Sequence, residues 1–340
     1  MQRRTTALAV LLGLSMLFGS SVVHGQYQVT NLVSNQPKTA RTTDPLLVNA
    51  WGLAYGPGSP FWTSDNGSGF STLYSATGAK IPLNVSIPAA SGSGPGSPTG
   101  IVFNGVASDF NISGGQALFI FATLDGTISG WAPSINETAA MIAVPSTGAV
   151  YTGLAISTNA SGNFLFAADA AGGKIDMFDN TFTFKKSFTD SSIPAGFAPY
   201  GIQDFNGLLY VTFASTGTAA GGFIDIFAED GTLLKQLTHG APLNQPWGLA
   251  IAPKNFGPFS NTLLVTNNLA AGTINAFNSV TGQFVGTLKD TNNEVIHIDQ
   301  LWGIEFGGGS GADGQVNSLF FTAGPDNYAN GLFGVISFKP

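Results

Sequence analysis

The chain has 340 residues, of which 44% are hydrophobic and 9% are charged. This is enough to bury a large core, in one large all-β domain or in two smaller ones. The 45 glycines and 27 phenylalanines favour many short strands joined by tight turns over a helical protein. The lack of cysteine excludes disulfides, thiol catalysis and cysteine metal sites.

Residues 1–25 have the pattern of an export signal. Arg3 and Arg4 form a basic start, residues 7–18 form an apolar stretch too short to span a bilayer, and a cut before Gln26 follows small or tolerated residues. We therefore expect a signal peptide at 1–25 and a secreted or periplasmic mature protein. No later apolar run reaches the roughly 18 residues of a membrane span, so none is predicted.

The charge balance argues against nucleic acid as a partner. Without Arg3 and Arg4, ten basic residues remain against nineteen acidic ones. A nucleic-acid-binding protein needs a basic surface that neutralises phosphates.

A short motif recurs six times along the mature chain, and its clearest copy reads Gln-Pro-Trp-Gly-Leu-Ala at 245–250. The copies lie about 50 residues apart, a period typical of propellers and solenoids when the content is strand-like. The motif glycines are Gly52, Gly100, Gly153, Gly201, Gly248 and Gly303.

Each repeat predicts four strands in the same order. An inner strand follows the glycine, a near-continuous apolar run gives a second strand, an alternating run gives a third, and a shorter fourth follows. The sixth repeat lacks a fourth strand, whereas residues 27–33 form a strand with no partner nearby. We therefore predict an all-β, six-bladed β-propeller of four-stranded blades over residues 26–340, whose ring is closed by the N-terminal strand pairing with 333–338.

These motifs carry a resemblance. The Pro-x-Gly-apolar-Ala opening, the apolar second strand ending in Asp or Asn, and the Ile-x-x-Phe third strand resemble NHL-type propellers and the six-bladed lactonase group that includes gluconolactonase. Residues 49–54, 64–67 and 321–324 more closely resemble an uncharacterised family of secreted bacterial propellers. That likeness covers nearly all of 30–340 and implies no particular reaction.

Polar residues follow the second strands or lie close to the inner strands, where the propeller scheme brings them together at one mouth of the axis. Oxygen donors with few Lys or Arg nearby suit calcium, which takes six to eight oxygens. The alternative is that each Asp or Asn ends its strand by bonding its own backbone in an Asx turn. The predicted calcium ligands are Asp65, Asp169, Asn267, Asp299 and Asp326.

Four aromatic residues occupy one equivalent position in four repeats, namely Trp51, Tyr200, Trp247 and Trp302. They are candidates to line a pocket for a sugar or an aromatic ligand, because flat rings give contact area at small entropic cost. The alternative is wedge packing between adjacent blades. His297 precedes Trp302 closely and is a further candidate for the mouth, although a single His is commonly structural.

Two functions remain open. The first is a non-enzymatic binding or scaffold propeller, a monomer whose unknown ligand is a carbohydrate or a protein. The alternative is a calcium-dependent hydrolase of the lactonase or esterase type, in which calcium polarises a carbonyl and a carboxylate acts as base. The sequence favours binding, because it has only four Glu residues and only Glu305 lies on an inner strand.

Overall fold

A computed structural model describes residues 26–159 and 162–339. Twenty-seven strands and one short 3-10 helix, Gly257–Phe259, make up the regular structure of this part of the chain. The predicted signal peptide lies outside the described residues. Within them, no helix has both the length and the apolar character needed to cross a membrane.

Six antiparallel sheets form the blades of a propeller, as the repeat predicts. From the axis outward, each blade consists of an inner strand, a second strand, a third strand and an outer strand. Blade 1 contains Ala50–Ala54, Phe61–Asp65, Phe70–Tyr74 and Lys80–Ser86. Blade 2 contains Pro98–Phe103, Phe119–Thr123, Ile128–Trp131 and Met141–Val144. Blade 3 contains Tyr151–Asn159, Gly162–Asp169, Lys174–Asp179 and Phe184–Phe188.

The other half of the ring repeats this order. Blade 4 contains Phe197–Asp204, Leu208–Ser215, Phe223–Ala228 and Leu233–His239. Blade 5 contains Pro246–Ile251, Thr262–Asn267, Ile274–Asn278 and Phe284–Thr287. Blade 6 contains Leu301–Phe306, Ser318–Ala323, Leu332–Lys339 and Gln26–Ser34, and the short strand Thr42–Thr43 is added outside it. A small hairpin, Asn111–Ile112 with Gly115–Gln116, interrupts blade 2 and is not predicted from the sequence.

The N-terminal strand closes the ring. It runs antiparallel to the last strand, with Tyr27 opposite Phe338 and Ser34 opposite Leu332, and a bulge shifts the register between Asn31 and Val33. The predicted closure is confirmed, and the pairing extends one residue beyond each end of the predicted 27–33 segment. Blade 6 therefore joins the two ends of the chain, and the N-terminal strand covers the outer edge of Leu332–Lys339.

Close approach of neighbouring inner strands explains the motif glycines. A Cβ added at any of the six would lie at or within 3.0 Å of an atom of the next blade's inner strand. The contacts run around the ring, from Gly52 to Thr99 and finally from Gly303 back to Trp51. The repeat is thus a packing requirement, since only glycine lets these backbones come so close.

Threonine hydroxyls on the second strands connect neighbouring blades. Thr266 accepts a hydrogen bond from the Gly248 amide at 2.8 Å and donates one to the Trp302 carbonyl of blade 6, also at 2.8 Å. Thr322 makes the same pair, with the Gly303 amide and with the Trp51 carbonyl of blade 1. Each hydroxyl satisfies two buried backbone groups that the bulged inner strand leaves unpaired.

The core lies between adjacent blades. Trp62 of blade 1 stacks on Phe119 of blade 2 with ring centroids 4.1 Å apart. At the closure, Tyr27 packs among Phe256, Phe259 and Phe338. Because both faces of each blade are covered in this way, the second strands are buried along nearly their whole length rather than at alternate residues.

Candidate functional site

Aromatic side chains fill one end of the propeller axis. Trp51, Trp247 and Trp302 come from the starts of the inner strands of blades 1, 5 and 6, and Tyr200 from blade 4 packs against them. Trp51 and Trp302 stack with centroids 3.7 Å apart, and Trp247 meets both rings edge-on. The three indoles are 9% exposed or less, so their flat faces contact one another rather than solvent. We call these four residues the aromatic plug.

Hydrogen bonds hold the aromatic plug in place. The Trp302 indole donates to the Asn49 side-chain oxygen and the Trp247 indole donates to the Thr152 carbonyl, both at 2.9 Å. The Trp51 indole nitrogen is buried and has no partner among the described residues. Tyr328 covers Trp302 from the loop of blade 6, with centroids 5.7 Å apart. The plug is therefore an organised part of the fold, and its role in ligand binding stays a prediction.

The predicted calcium ligands in blades 1, 3 and 5 are engaged in local hydrogen bonds. Asp65 accepts from the Thr63 and Thr72 hydroxyls, and burial raises its pKa well above the usual range. Asp169 accepts hydrogen bonds from two backbone amides. The Asn267 side chain accepts one from the Asn244 amide and donates one to the Pro242 carbonyl. Only the bond from the Gly172 amide to Asp169 is of the local turn kind. The Asp65 bonds reach its own strand and the neighbouring strand of blade 1, and the Asn267 bonds reach the loop that precedes blade 5.

Asp299 and Asp326 are the only two of the five that the described structure brings into contact. One Asp299 oxygen accepts from the Asp326 amide at 2.8 Å, whereas the other is buried without a partner. Asp326 in turn accepts from the side chains of Gln36 and Asn330. No group of three or more His, Cys, Asp or Glu side chains suited to a metal occurs within 26–159 and 162–339.

His297 lies away from the aromatic plug. Its ring is exposed, and its Nδ1 lies 3.2 Å from the Ala271 carbonyl oxygen. It borders a surface cavity of about 370 Å³ beside the closing strand, together with Tyr27 and Asp290. The sequence placed it near Trp302 along the chain, but the intervening turn directs it to the outside of the ring.

The axis opens at the end opposite the plug. A small cavity of about 30 Å³ begins at Trp247 and four of the motif glycines, and two larger cavities of about 220 and 190 Å³ lie at the far ends of the inner strands. Gln203 and Glu305 line all three, and Tyr55 lines both larger ones. We call these connected cavities the axial channel. Its half-buried rim contains Tyr55, Phe103, Phe205 and Phe306.

Glu305 has an unusual environment in the axial channel. Its side chain is half-buried, and desolvation raises its pKa to about 8. None of the salt bridges of the described residues involves it, and no Lys, Arg or His lines the channel. Asp204, which borders the same channel, accepts from the Ser157 hydroxyl at 3.0 Å, and burial raises its pKa as well. Burial, together with the charges of Glu305 and Asp313, raises the pKa of Tyr55 to about 12.

From the sequence, the site is predicted at the other mouth of the axis, and this stays a prediction; no site is predicted in the axial channel. A signal was available in the repeat itself. Two residues after the motif glycine, four blades have Ala54, Val102, Ala155 or Ala250, whereas blades 4 and 6 have Gln203 and Glu305. This position takes a small apolar residue in the other four blades. The two long polar side chains therefore mark a part of the channel whose residues are not explained by packing alone.

The uncharacterised protein R648 of Acanthamoeba polyphaga mimivirus is 30% identical to this chain over 342 aligned residues. The match covers 94% of this chain and 82% of R648. The chain belongs to the R648 family. No family model matches it. The relative is a viral protein, so the bacterial origin implied by the sequence resemblance stays a prediction.

Solved structures show the fold of the R648-family chain independently. A gluconolactonase from Xanthomonas campestris superposes with a TM-score of 0.54 at 12% identity, covering 86% of this chain and 88% of the enzyme. Virginiamycin B lyase from Staphylococcus aureus gives a TM-score of 0.51 at 12% identity, covering 92% and 99%. Identities this low show a shared propeller fold, as the sequence predicts, and carry no activity over to this chain.

Proposed function

We propose that this R648-family protein is a non-enzymatic binding propeller that takes a small ligand in the axial channel. The observation that carries the proposal is the asymmetry of the axis. One end is closed by packed indoles, whereas the other presents two polar side chains, Gln203 and Glu305, that the fold does not use. The two larger cavities, of about 220 and 190 Å³, together exceed the lower limit of small-molecule sites, which is roughly 300 Å³.

We also propose that the protein acts outside the cytoplasm after loss of residues 1–25. The closing strand begins at Gln26, directly after the proposed cleavage point, so cleavage there leaves blade 6 complete. Intact mass of the exported protein should correspond to a start at Gln26. A cytoplasmic product that retains Met1 would contradict this part of the proposal.

A fragment library tests the binding function directly. Ligand-observed NMR on the mature protein should detect fragments that bind wild type and lose binding in Gln203→Trp, because the indole fills the shared part of the channel. Lys235→Trp, at an exposed position on the outer strand of the same blade, is the matched control and should retain binding. Fragments that bind both variants alike would place binding elsewhere and contradict the proposal.

A calcium-dependent lactonase or esterase is the second candidate, supported by the buried, unpartnered oxygen of Asp299. In this candidate, Asp299 and Asp326 would hold calcium, which would supply a Lewis acid for a substrate carbonyl. The likeness to a gluconolactonase supports the fold needed for it and nothing more. Turnover of a lactone or ester panel that requires calcium and disappears in Asp299→Asn would establish this candidate in place of the binding function.

A further inference from the structure

The six blades provide an internal comparison for the axial channel. The position two residues after the motif glycine pairs with the second strand in the same way in different blades, for example Ala250 with Leu264 and Glu305 with Phe320. Alanine or valine satisfies this position in four blades. Glutamate at 305 is therefore not required by the architecture, and a desolvated carboxylate without a partner costs stability.

The channel offers this carboxylate no cation of its own. Its described lining contains Glu305, Asp204 and Gln203 but no Lys, Arg or His. All four salt bridges of the described residues lie in other parts of the ring. A positive ligand would thus meet a carboxyl group that has no competing cation and that can ionise to pair with it, in a site of low dielectric where pairing is strongest.

We propose that the axial channel binds a small organic ammonium ion, an inference that rests on the binding function proposed above. The ammonium N–H groups donate to the Glu305 carboxylate and to the Gln203 side-chain carbonyl. The apolar part of the ligand lies against the aromatic rim. Tyr55 and Phe306 border Glu305 in the same cavity, which lets their ring faces contribute cation–π attraction.

Charge complementarity also makes binding pH-dependent. The raised pKa of Glu305 keeps its carboxyl protonated in the empty channel at neutral pH, and the arriving cation favours ionisation. Binding below pH 8 therefore releases a proton, and affinity rises with pH up to about 8. The other titratable groups at the channel are Tyr55 and Asp204, with Asp313 beyond Tyr55, and none of them carries a positive charge.

Isothermal titration calorimetry with a matched pair of probes tests the inference. Benzylamine and benzyl alcohol have nearly the same shape and differ in charge. They are titrated into the mature wild-type protein, into Glu305→Gln and into Glu305→Ala, which restores the residue type of the other blades. Glu294→Gln, an exposed carboxylate outside the channel, is the matched control.

Benzylamine should bind wild type and Glu294→Gln at least about tenfold more tightly than benzyl alcohol, which corresponds to about 1.4 kcal/mol. Both Glu305 variants should lose that preference while unfolding at an equal or higher denaturant concentration. Equal binding of the two probes, or unchanged benzylamine affinity in Glu305→Gln, would overturn the ammonium inference while leaving a binding channel. If neither probe binds, and no fragment binds wild type and loses binding in Gln203→Trp, the binding function itself is overturned.

Discussion

Tyr27 tests the closure of the ring with a single side chain. It is fully buried, and its hydroxyl donates to the Phe256 carbonyl of the blade 5 loop at 2.8 Å. Its backbone amide also donates to the Lys289 carbonyl. One residue of the closing strand thus connects blade 6 to blade 5 through a ring, a hydroxyl and an amide.

Two substitutions separate these contributions. Tyr27→Phe keeps the ring packing and leaves the Phe256 carbonyl without its donor, which should cost about 1–3 kcal/mol. Tyr27→Ala also empties the space among Phe256, Phe259 and Phe338 and should cost about 3–5 kcal/mol. The larger loss is a substantial part of the roughly 5–15 kcal/mol that stabilises a typical domain.

Urea unfolding, monitored by tryptophan fluorescence, measures the loss of unfolding free energy in both variants. Gln28→Ala is the control, since Gln28 is exposed on the same strand and its loss should change stability by no more than about 0.5 kcal/mol. If Tyr27→Ala unfolds at the same urea concentration as Gln28→Ala, the N-terminal strand does not close the ring in solution.

Three further predictions concern other contacts. Thr266→Val leaves two buried backbone groups unpaired, so it should lower the unfolding free energy measured by urea unfolding by roughly 2–4 kcal/mol. A loss below about 0.5 kcal/mol would show that the packing of the blades does not depend on this hydroxyl. Burial and the neighbouring Asp190 raise the pKa of Asp225 to about 7, so the folded state keeps a proton that the unfolded state loses above its lower pKa. Stability should therefore fall as pH rises through 7, and Asp225→Asn should raise the melting temperature at pH 8 but not at pH 4; equal shifts at both would contradict this. The melting temperature of wild type and of Asp65→Asn should be higher in calcium than in a chelator, whereas that of Asp299→Asn should be the same in both. An unchanged melting temperature of the wild-type protein would contradict the calcium proposal.

The sequence predicts the architecture because every blade has the same packing requirements, and these give each repeat the same residue pattern. The motif glycines, the apolar second strands and the unpartnered N-terminal strand are local features, and together they require a closed six-bladed ring. The single hairpin within blade 2 has no counterpart in other repeats, so the repeat pattern gives no signal for it.

The candidate site is less predictable because it depends on distances across the ring. Trp51, Trp247 and Trp302 are equivalent in sequence, but only the closed ring shows that their indoles meet at the axis. Asp65 and Asn267 at strand ends also have hydrogen-bond partners from other strands or loops, which residue type does not reveal. Glu305 stands out only when it is compared with the small residues of the other blades and with the channel they border.

A crystal structure of the mature protein with benzylamine would show where the ammonium group binds. We expect the amine in the axial channel, with its nitrogen within hydrogen-bond distance of both the Glu305 carboxylate and the Gln203 carbonyl. Benzylamine bound instead at the aromatic plug, or an empty channel at a concentration that saturates the calorimetric signal, would contradict this expectation.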